Sequence, residues 1–427
     1  MKQGLTLFAL MCVSSFVAGA QSLSLEECRS KALAHYPEVA QYDLINQSEQ
    51  YNLCSAARSW IPQISFSGQA SWQSAAPTFP EELRTMMLAQ GIDLQGIPQD
   101  QYKLAIDVQQ TLYDGGASKA GKQLSSLQAG EQRLGTEVAL SAVQQRVSSI
   151  YFSLLLLDEQ YSISMGSEEL LDANYKRLSS MQRNGLATQS DLDQVQVERI
   201  GLRQQMEQNR ASRESFISML ELFIGEPLGG RSLELPQPPP RLPDEFKTPE
   251  IRLLDAQIKT LDARESLLST GVTPVVSFFA QGYYGNPGLD MFQAMLSRDW
   301  TWNAYVGLRM QWNISALFTY GADKRQVETE RSRLRVKKDV AAFNTTLHNK
   351  QLGDEIQRMQ AALESDEEIV HLRTRIRQSA ESQRESGVID TATLLRRISE
   401  EGAALGTRSL HEIELRKTQY EHYYLSK

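Results

Sequence analysis

Few residues of this chain are spaced for catalysis or for holding a cofactor. Residues 116–122 nearly spell a phosphate-binding loop, in which backbone N–H groups cradle phosphate. Gln123 stands where such a loop needs a hydroxyl group for Mg²⁺, so no nucleotide site is predicted. The five histidines form no ligand-spaced pair on one helix face and have no cysteine companions. They are His35, His348, His371, His411 and His422. We therefore predict no enzyme activity, no cofactor and no metal site.

The first twenty residues have the composition of an export signal. Lys2 precedes an apolar run from Leu5 to Val17, and small residues end the segment at Ala20. Cys12 would leave with this signal peptide. Cys28 and Cys54 remain, too few for a disulfide scaffold. They either pair or stay as free thiols.

Charge and hydropathy exclude two further classes of protein. The chain has 44 basic and 52 acidic residues, a net charge of −8, which gives no electrostatic basis for binding nucleic acid. Beyond the signal no run of about 18 apolar residues exists, so no transmembrane helix is predicted.

Four segments alternate apolar and polar residues with the period of a β-strand. The first sets Ile64, Phe66 and Trp72 against a row of serines and glutamines. In the third segment the alternation is less clean, because Phe279 and Tyr283 fall on the polar side. The predicted strands cover about residues 61–73, 102–112, 274–284 and 301–314, and each has the length and pattern of a membrane-barrel strand.

A sheet inside a membrane has to close, because unpaired backbone groups at its edges are costly in hydrocarbon. Four strands are too few to close, since small membrane barrels need about eight. We therefore predict an obligatory oligomer, and the strand count alone allows a dimer, trimer or tetramer. Lys103, Asp107 and Arg309 would line a wet lumen, while tryptophans near strand ends would form an interfacial girdle. These tryptophans are Trp72, Trp302 and Trp312.

The strands precede two long regions without proline, residues 99–226 and 288–427. Apolar residues recur there at three- and four-residue steps, which predicts long coiled-coil helices. A helix from about residue 117 to 182 would be on the order of 100 Å long at 1.5 Å per residue. Each long helix ends at a glycine turn, Gly185 or Gly387, and another helix follows.

The two glycines are 202 positions apart, which indicates an internal duplication. We predict a signal peptide at 1–20, a first repeat at 21–225, a proline-rich linker at 226–249 and a second repeat at 250–427. The hairpin tips fall near 184–190 and 386–392.

This arrangement resembles the TolC family of outer-membrane efflux and secretion channels. The opening segment 24–37 is similar to the family's first helix and its proline break, and residues 110–116 are similar to its turn into the first long helix. Residues 184–192 resemble its hairpin tip, with a glycine, five residues, then Asp-Leu. The resemblance covers essentially the whole mature chain.

The resemblance implies a fold that is mostly α with a membrane β-barrel. Three copies with four strands each would share a 12-stranded barrel in the outer membrane, continued by an α-helical coiled-coil tunnel in the periplasm. The channel would be a passive conduit that works with a periplasmic adaptor and an inner-membrane transporter, and outer-membrane lipid would surround it. Small-molecule efflux and type I protein secretion both fit.

The resemblance also assigns the candidate site residues. The hairpin tips, Gly185 with Leu186 and Gly387 with Val388, would contact the adaptor. Asp191 and Asp390 are candidates for a constriction of the tunnel. The family often carries acidic residues six and nine positions after the second tip glycine, where this chain has Thr393 and Arg396. The sequence therefore does not support the family's usual acidic ring.

Two other interpretations stay open from the sequence. A soluble sheet with one buried face would also alternate, although its polar face would normally carry more Lys and Glu. A periplasmic coiled-coil scaffold or adaptor would share long helical hairpins, but adaptors usually carry one hairpin between compact β-domains. The basic cluster of helix residues 331–338 fits either a solvated helix face or contact with anionic lipid.

Overall fold

The computed structural model describes residues 22–58, 60–240 and 248–425, so the predicted signal peptide lies outside the described residues. Two compact units share the chain. The first contains the described residues up to Ala40, residues 136–249 and residues from Ala341 onward; the second contains Gln41–Gly135 and Glu250–Val340.

Helices make up most of the described chain. Two of them are very long: α4 has 67 residues and α8 has 70. The helices are α1 (Leu25–His35), a 3₁₀ turn (Pro37–Val39), α2 (Ala40–Arg58), α3 (Glu81–Leu88), α4 (Ala117–Arg183), α5 (Gln189–Ile224), α6 (Pro249–Thr270), α7 (Met291–Leu296), α8 (Ala316–Glu385) and α9 (Thr391–Leu425). Among the described helices, none is both long and apolar enough to cross a bilayer.

The second unit contains an antiparallel sheet of four strands in the order of the sequence. The strands are β1 (Gln63–Trp72), β2 (Asp100–Tyr113), β3 (Val275–Asn286) and β4 (Thr301–Gln311). Within the described residues, β1 and β4 each pair along one edge only. Both outer edges therefore present backbone donors and acceptors to a further strand.

The register of the sheet separates an apolar face from a polar one. Across one row Ile64 pairs with Val108, which pairs with Ala280, which pairs with Val306. Neighbouring rows on this face carry Phe66, Ile106, Leu308 and Met310, and Phe66 is 73% exposed. A continuous exposed apolar face of this kind is unfavourable in water and suits lipid.

The opposite face of the sheet is polar and hydrogen-bonded from strand to strand. Lys103 donates to the side-chain oxygen of Gln281 (2.6 Å), and Gln281 in turn donates to Asp107. Ser67 also donates to Asp107 (3.2 Å). Three strands thus contribute to one network, in which Gln281 bridges the charged groups of Lys103 and Asp107.

The first unit has a well-packed core around Tyr151, which is fully buried. The Tyr151 hydroxyl lies 2.8 Å from the carbonyl oxygen of Leu23 and 2.6 Å from that of Glu234, so its one O–H is shared between two acceptors and joins α4 to the chain segments at Leu23 and Glu234. Buried Arg29 donates to Ser148 (3.1 Å), and its guanidinium lies 3.2 Å from the centre of the Tyr424 ring. The end of the last helix is thereby held against the first helix.

Both remaining cysteines are free thiols. Cys28 is buried in the core of the first unit, and burial, with the Glu27 charge, raises the pKa of its thiol to about 12. The Cys28 thiol is therefore protonated and unreactive at neutral pH. Cys54 is exposed on α2.

The predicted basic cluster on α8 is partly ion-paired within the second unit. Arg331 forms ion pairs with Asp262 (3.0 Å) and Glu265 (2.6 Å), and Lys338 pairs with Asp255 (2.6 Å). These pairs join α8 to α6. The structure thus gives two of the five basic residues a role in packing these helices together.

Candidate functional site at the hairpin tips

Both helical hairpins end in the same backbone turn. Gly185 and Gly387 have positive φ angles of 74° and 73°, a conformation that only glycine adopts without strain. The N–H of Leu186 donates to the carbonyl of Met181, and the N–H of Gly185 donates to that of Gln182 (both 2.9 Å). Val388 and Gly387 make the equivalent bonds in the second hairpin. This pattern is the Schellman motif, which satisfies the last carbonyls of a helix.

The residues after the two glycines are the most exposed apolar groups of the tips. Leu186 and Val388 are each 70% exposed, and a Cβ added to either glycine would meet no heavy atom within 4 Å. The apex of each hairpin is therefore narrow, with one apolar side chain directed away from the core. Such a surface can receive another apolar surface without first displacing polar groups.

The helices that leave the two tips are capped by mirrored residue pairs. Thr188 caps α5, and Asp191 three residues later accepts from the Thr188 backbone N–H (3.0 Å) in a capping box. Asp390 caps α9 and accepts from the backbone N–H of Thr393 (2.8 Å). Threonine and aspartate have therefore exchanged places between the two hairpins, so Asp191 and Asp390 are not equivalent positions.

A chain of hydrogen bonds joins the two tips. The Arg384 guanidinium donates to the hydroxyl of Thr391 (3.1 Å), and this hydroxyl donates to the carboxylate of Asp191 (2.6 Å). Thr391 is only 2% exposed, so the link is shielded from water at its centre. The link connects the end of α8 and the start of α9 with the start of α5.

These contacts hold Asp191 in its charged form. Hydrogen bonds from Thr391 and then Thr188 lower the pKa of the Asp191 carboxyl below its ordinary value, and the nearby Arg384 charge adds to the effect. Asp390 is exposed, and its pKa is lowered by hydrogen bonds from the side chain and the backbone of Thr393. Both carboxylates are therefore negative at neutral pH.

Behind the tips the four helices pack around a small apolar cluster. Leu178 of α4, Val195 of α5, Ala380 of α8 and Leu394 of α9 are among its buried members. A cavity of about 110 Å³ lies beside it, bordered by Thr391 and Arg384 of the link. The hydrogen-bonded link between the tips thus forms one wall of this cavity.

Two backbone donors of the phosphate-loop-like segment are already used within the chain. The Asp114 carboxylate accepts from the backbone N–H groups of Gly116 (2.9 Å) and Ser118 (2.7 Å), so these groups are already occupied. Within the described part of the chain, no group of three His, Cys, Asp or Glu side chains is placed to hold a metal.

The sequence named both tips and both aspartates but missed the residues that connect them. Thr391 lies 200 positions after Asp191 in the chain, so no local pattern reveals the link. The capping pairs do leave a local pattern, a threonine or aspartate with its partner three residues later.

The family model of outer membrane efflux proteins matches residues 28–225. No curated protein matches the chain by sequence.

Several solved channel structures share the fold. The outer membrane protein VceC from Vibrio cholerae is 12% identical, with 94% of each chain covered and a TM-score of 0.68. CusC, whose crystal structures concern conformational changes that accompany folding and transmembrane channel formation, is 13% identical. The match covers 94% of this chain and 91% of that chain, with a TM-score of 0.71. The CmeC outer membrane channel from Campylobacter jejuni is 12% identical over 94% of this chain and 86% of that chain, with a TM-score of 0.68.

Proposed function

We infer that this chain is a channel subunit of an efflux system in the outer membrane. It matches the family model of outer membrane efflux proteins over residues 28–225, and it has the TolC-like fold over 94% of its length. The observation that carries this inference is the sheet, which has one exposed apolar face and two open edges. Contact of the apolar face with lipid is favourable. The backbone groups at the two open edges have to pair with further strands, because unpaired backbone groups are costly in hydrocarbon. The polar face would then line the lumen.

We propose that three copies form the channel. Three sheets of four strands would give a 12-stranded barrel, which the resemblance to the TolC family implies and the strand count allows. Apolar side chains of α8 support association outside the sheet as well. Val336, Val340 and Phe343 follow one another at helical spacing and are 62%, 53% and 68% exposed in the isolated chain.

We propose that the two hairpin tips receive a periplasmic adaptor, which couples the channel to an inner-membrane transporter. The support is the pair of Schellman turns, which place Leu186 and Val388 at narrow, exposed apices. An adaptor hairpin with small or apolar residues at its own tip would fit this chemistry. The conduit itself would be passive, and outer-membrane lipid would contact the apolar face of the sheet.

We propose different roles for the two aspartates at the candidate constriction. Asp191 would hold the two hairpins of one copy together through Thr391 and Arg384, and so favour the closed state. Among the described residues Asp390 hydrogen-bonds within its own hairpin, to Thr393, and it is exposed, so its charge would face permeating ions. Arg396, six positions later, would counter that charge.

The test is the conductance of purified protein in planar lipid bilayers. We expect discrete ion-conducting steps of one size, because an oligomer of fixed copy number gives a lumen of fixed width. Heat-unfolded protein added at the same concentration is the control. A protein that inserts no pores, yet binds periplasmic components, would contradict the channel and favour the scaffold or adaptor alternative.

A further inference from the structure

Three side chains form an aromatic and basic cluster on the polar face of the sheet. They are Phe279 of β3 and Tyr305 and Arg309 of β4, hereafter the aromatic-guanidinium cluster. Phe279 pairs with Gly307 across the two strands. A Cβ at Gly307 would lie only 2.9 Å from the Phe279 ring, so the ring lies over the glycine and fills the space that a side chain would occupy.

The other two members border this ring on either side. Tyr305 and Arg309 precede and follow Gly307 by two residues, so all three lie on the same face of β4. The Tyr305 ring meets the Phe279 ring edge to face, with centroids 6.0 Å apart and planes at 71°. The Arg309 guanidinium lies 4.9 Å from the centre of the Phe279 ring. The result is a recess with an aromatic floor, an aromatic wall and a cation.

The cation of this recess has no acidic partner among the described residues. Arg309 is exposed, and among the described residues its guanidinium contacts the Phe279 ring. Asp107, a carboxylate on the same face, is already engaged by Gln281 and Ser67. The edge of the guanidinium, which carries its N–H donors, therefore stays available for an anion.

The aromatic wall is fixed in position and open to solvent. The Tyr305 hydroxyl donates to the side-chain oxygen of Gln281 (2.7 Å), which fixes one end of the ring, while the residue is 39% exposed. A flat ligand could thus stack on Tyr305 or on the free face of the guanidinium. An exposed aromatic ring next to an unpaired guanidinium suits a ligand that is both planar and negative.

We propose that the aromatic-guanidinium cluster is a binding site for planar aromatic anions, such as aromatic carboxylates, on their passage through the channel. The carboxylate would accept from the Arg309 N–H groups, and the rings of Tyr305 and Phe279 would contact the aromatic part. This proposal rests on the proposed function, because it places the polar face in the lumen. Aromatic anions are then the class of permeant that this face would bind.

The experiment measures binding of 2-naphthoate to the detergent-extracted protein through the fluorescence of the naphthyl ring. We expect Arg309→Gln to raise the dissociation constant about fivefold or more, and Phe279→Leu to weaken binding as well. The matched control is Arg298→Gln in the loop before β4, which removes an exposed guanidinium that donates to the carbonyl of Gln95 rather than to the network around Gln281. It should change the constant less than about twofold.

Two further comparisons keep the result interpretable. Arg309→Lys retains the charge without the planar stacking group, so it should fall between the parent and Arg309→Gln. The neutral analogue 2-naphthalenemethanol should bind the parent protein more weakly than 2-naphthoate does. Equal losses in Arg309→Gln and Arg298→Gln, or no binding to the parent, would overturn the proposed site.

Bilayer conductance separates this proposal from the channel function. Protein that conducts ions but does not bind 2-naphthoate through Arg309 would overturn the site and leave the channel intact. Protein that binds 2-naphthoate through Arg309 but forms no pores would support the site as a ligand site and contradict the channel.

Discussion

Replacing Phe66 with lysine is expected to remove most of the protein from the outer membrane. Phe66 lies in the middle of β1 on the apolar face, where it is 73% exposed and pairs with Ile106. A lysine facing lipid near the mid-plane of a bilayer costs about 2–4 kcal/mol. Every copy in the oligomer would carry this cost. The amount of assembled channel in outer-membrane fractions measures the effect.

The matched control is Ser65→Lys, one position earlier on the polar face of the same strand. Its ammonium group would face the lumen, so assembly should stay close to that of the parent. Phe66→Leu controls for loss of the ring and should also assemble. Equal behaviour of the two lysine variants would contradict the assignment of the faces to lipid and lumen.

Replacing Asp191 with alanine is expected to loosen the hairpin tips and to increase leak through the closed channel. The change removes the capping box of α5, worth about 1 kcal/mol, and the acceptor of the buried Thr391 hydroxyl, worth about 1.5–3 kcal/mol. Hydrogen exchange at the starts of α5 and α9 should therefore accelerate by more than about tenfold. Single-channel recording measures the leak.

Asp390→Ala is the matched control because it removes a cap without touching the link between the hairpins. It should speed hydrogen exchange at the start of α9 and change exchange in α5 little. Thr391→Val tests the link from its other side and should resemble Asp191→Ala in its effect on leak. Equal leak in the Asp191 and Asp390 variants would contradict a special role for the link.

The link should also depend on pH in a defined direction. The pKa of Asp191 is lowered in the folded chain, so its stabilisation is complete above the ordinary aspartate pKa of about 3.9 and is lost as the pH falls through the lower folded value. Leak of the parent channel should thus stay constant through mild acid and rise only below about pH 4. Asp191→Asn should show no such rise from this position.

Alternation in the sequence predicted the faces of the sheet down to single residues. Phe66 lies on the apolar face and Ser65 on the polar face, because adjacent residues of a strand point to opposite faces. The sequence also placed Phe279 on the polar side, against its type, and the register agrees. What it could not show is why an aromatic residue belongs there. The reason, Gly307 on the neighbouring strand, depends on pairing between segments that are not adjacent in the chain.

Local pattern was less informative where contacts come from distant parts of the chain. The short helices α3 and α7 were not predicted, because helices of 8 and 6 residues have too few turns to show an apolar period in the sequence. The contact of Thr391 with Asp191 spans 200 residues and follows only from the packing of two hairpins. The tip glycines, in contrast, act within one helical turn and were predicted from the sequence.

The central claim is that several copies of this chain close one barrel, and the mass of the species extracted from outer membranes by mild detergent tests it most directly. We expect a complex of three chains that falls apart into single chains only after heating, because the open edges of β1 and β4 pair between copies. A single chain recovered without heating from the soluble periplasmic fraction would contradict the shared barrel and the channel function with it.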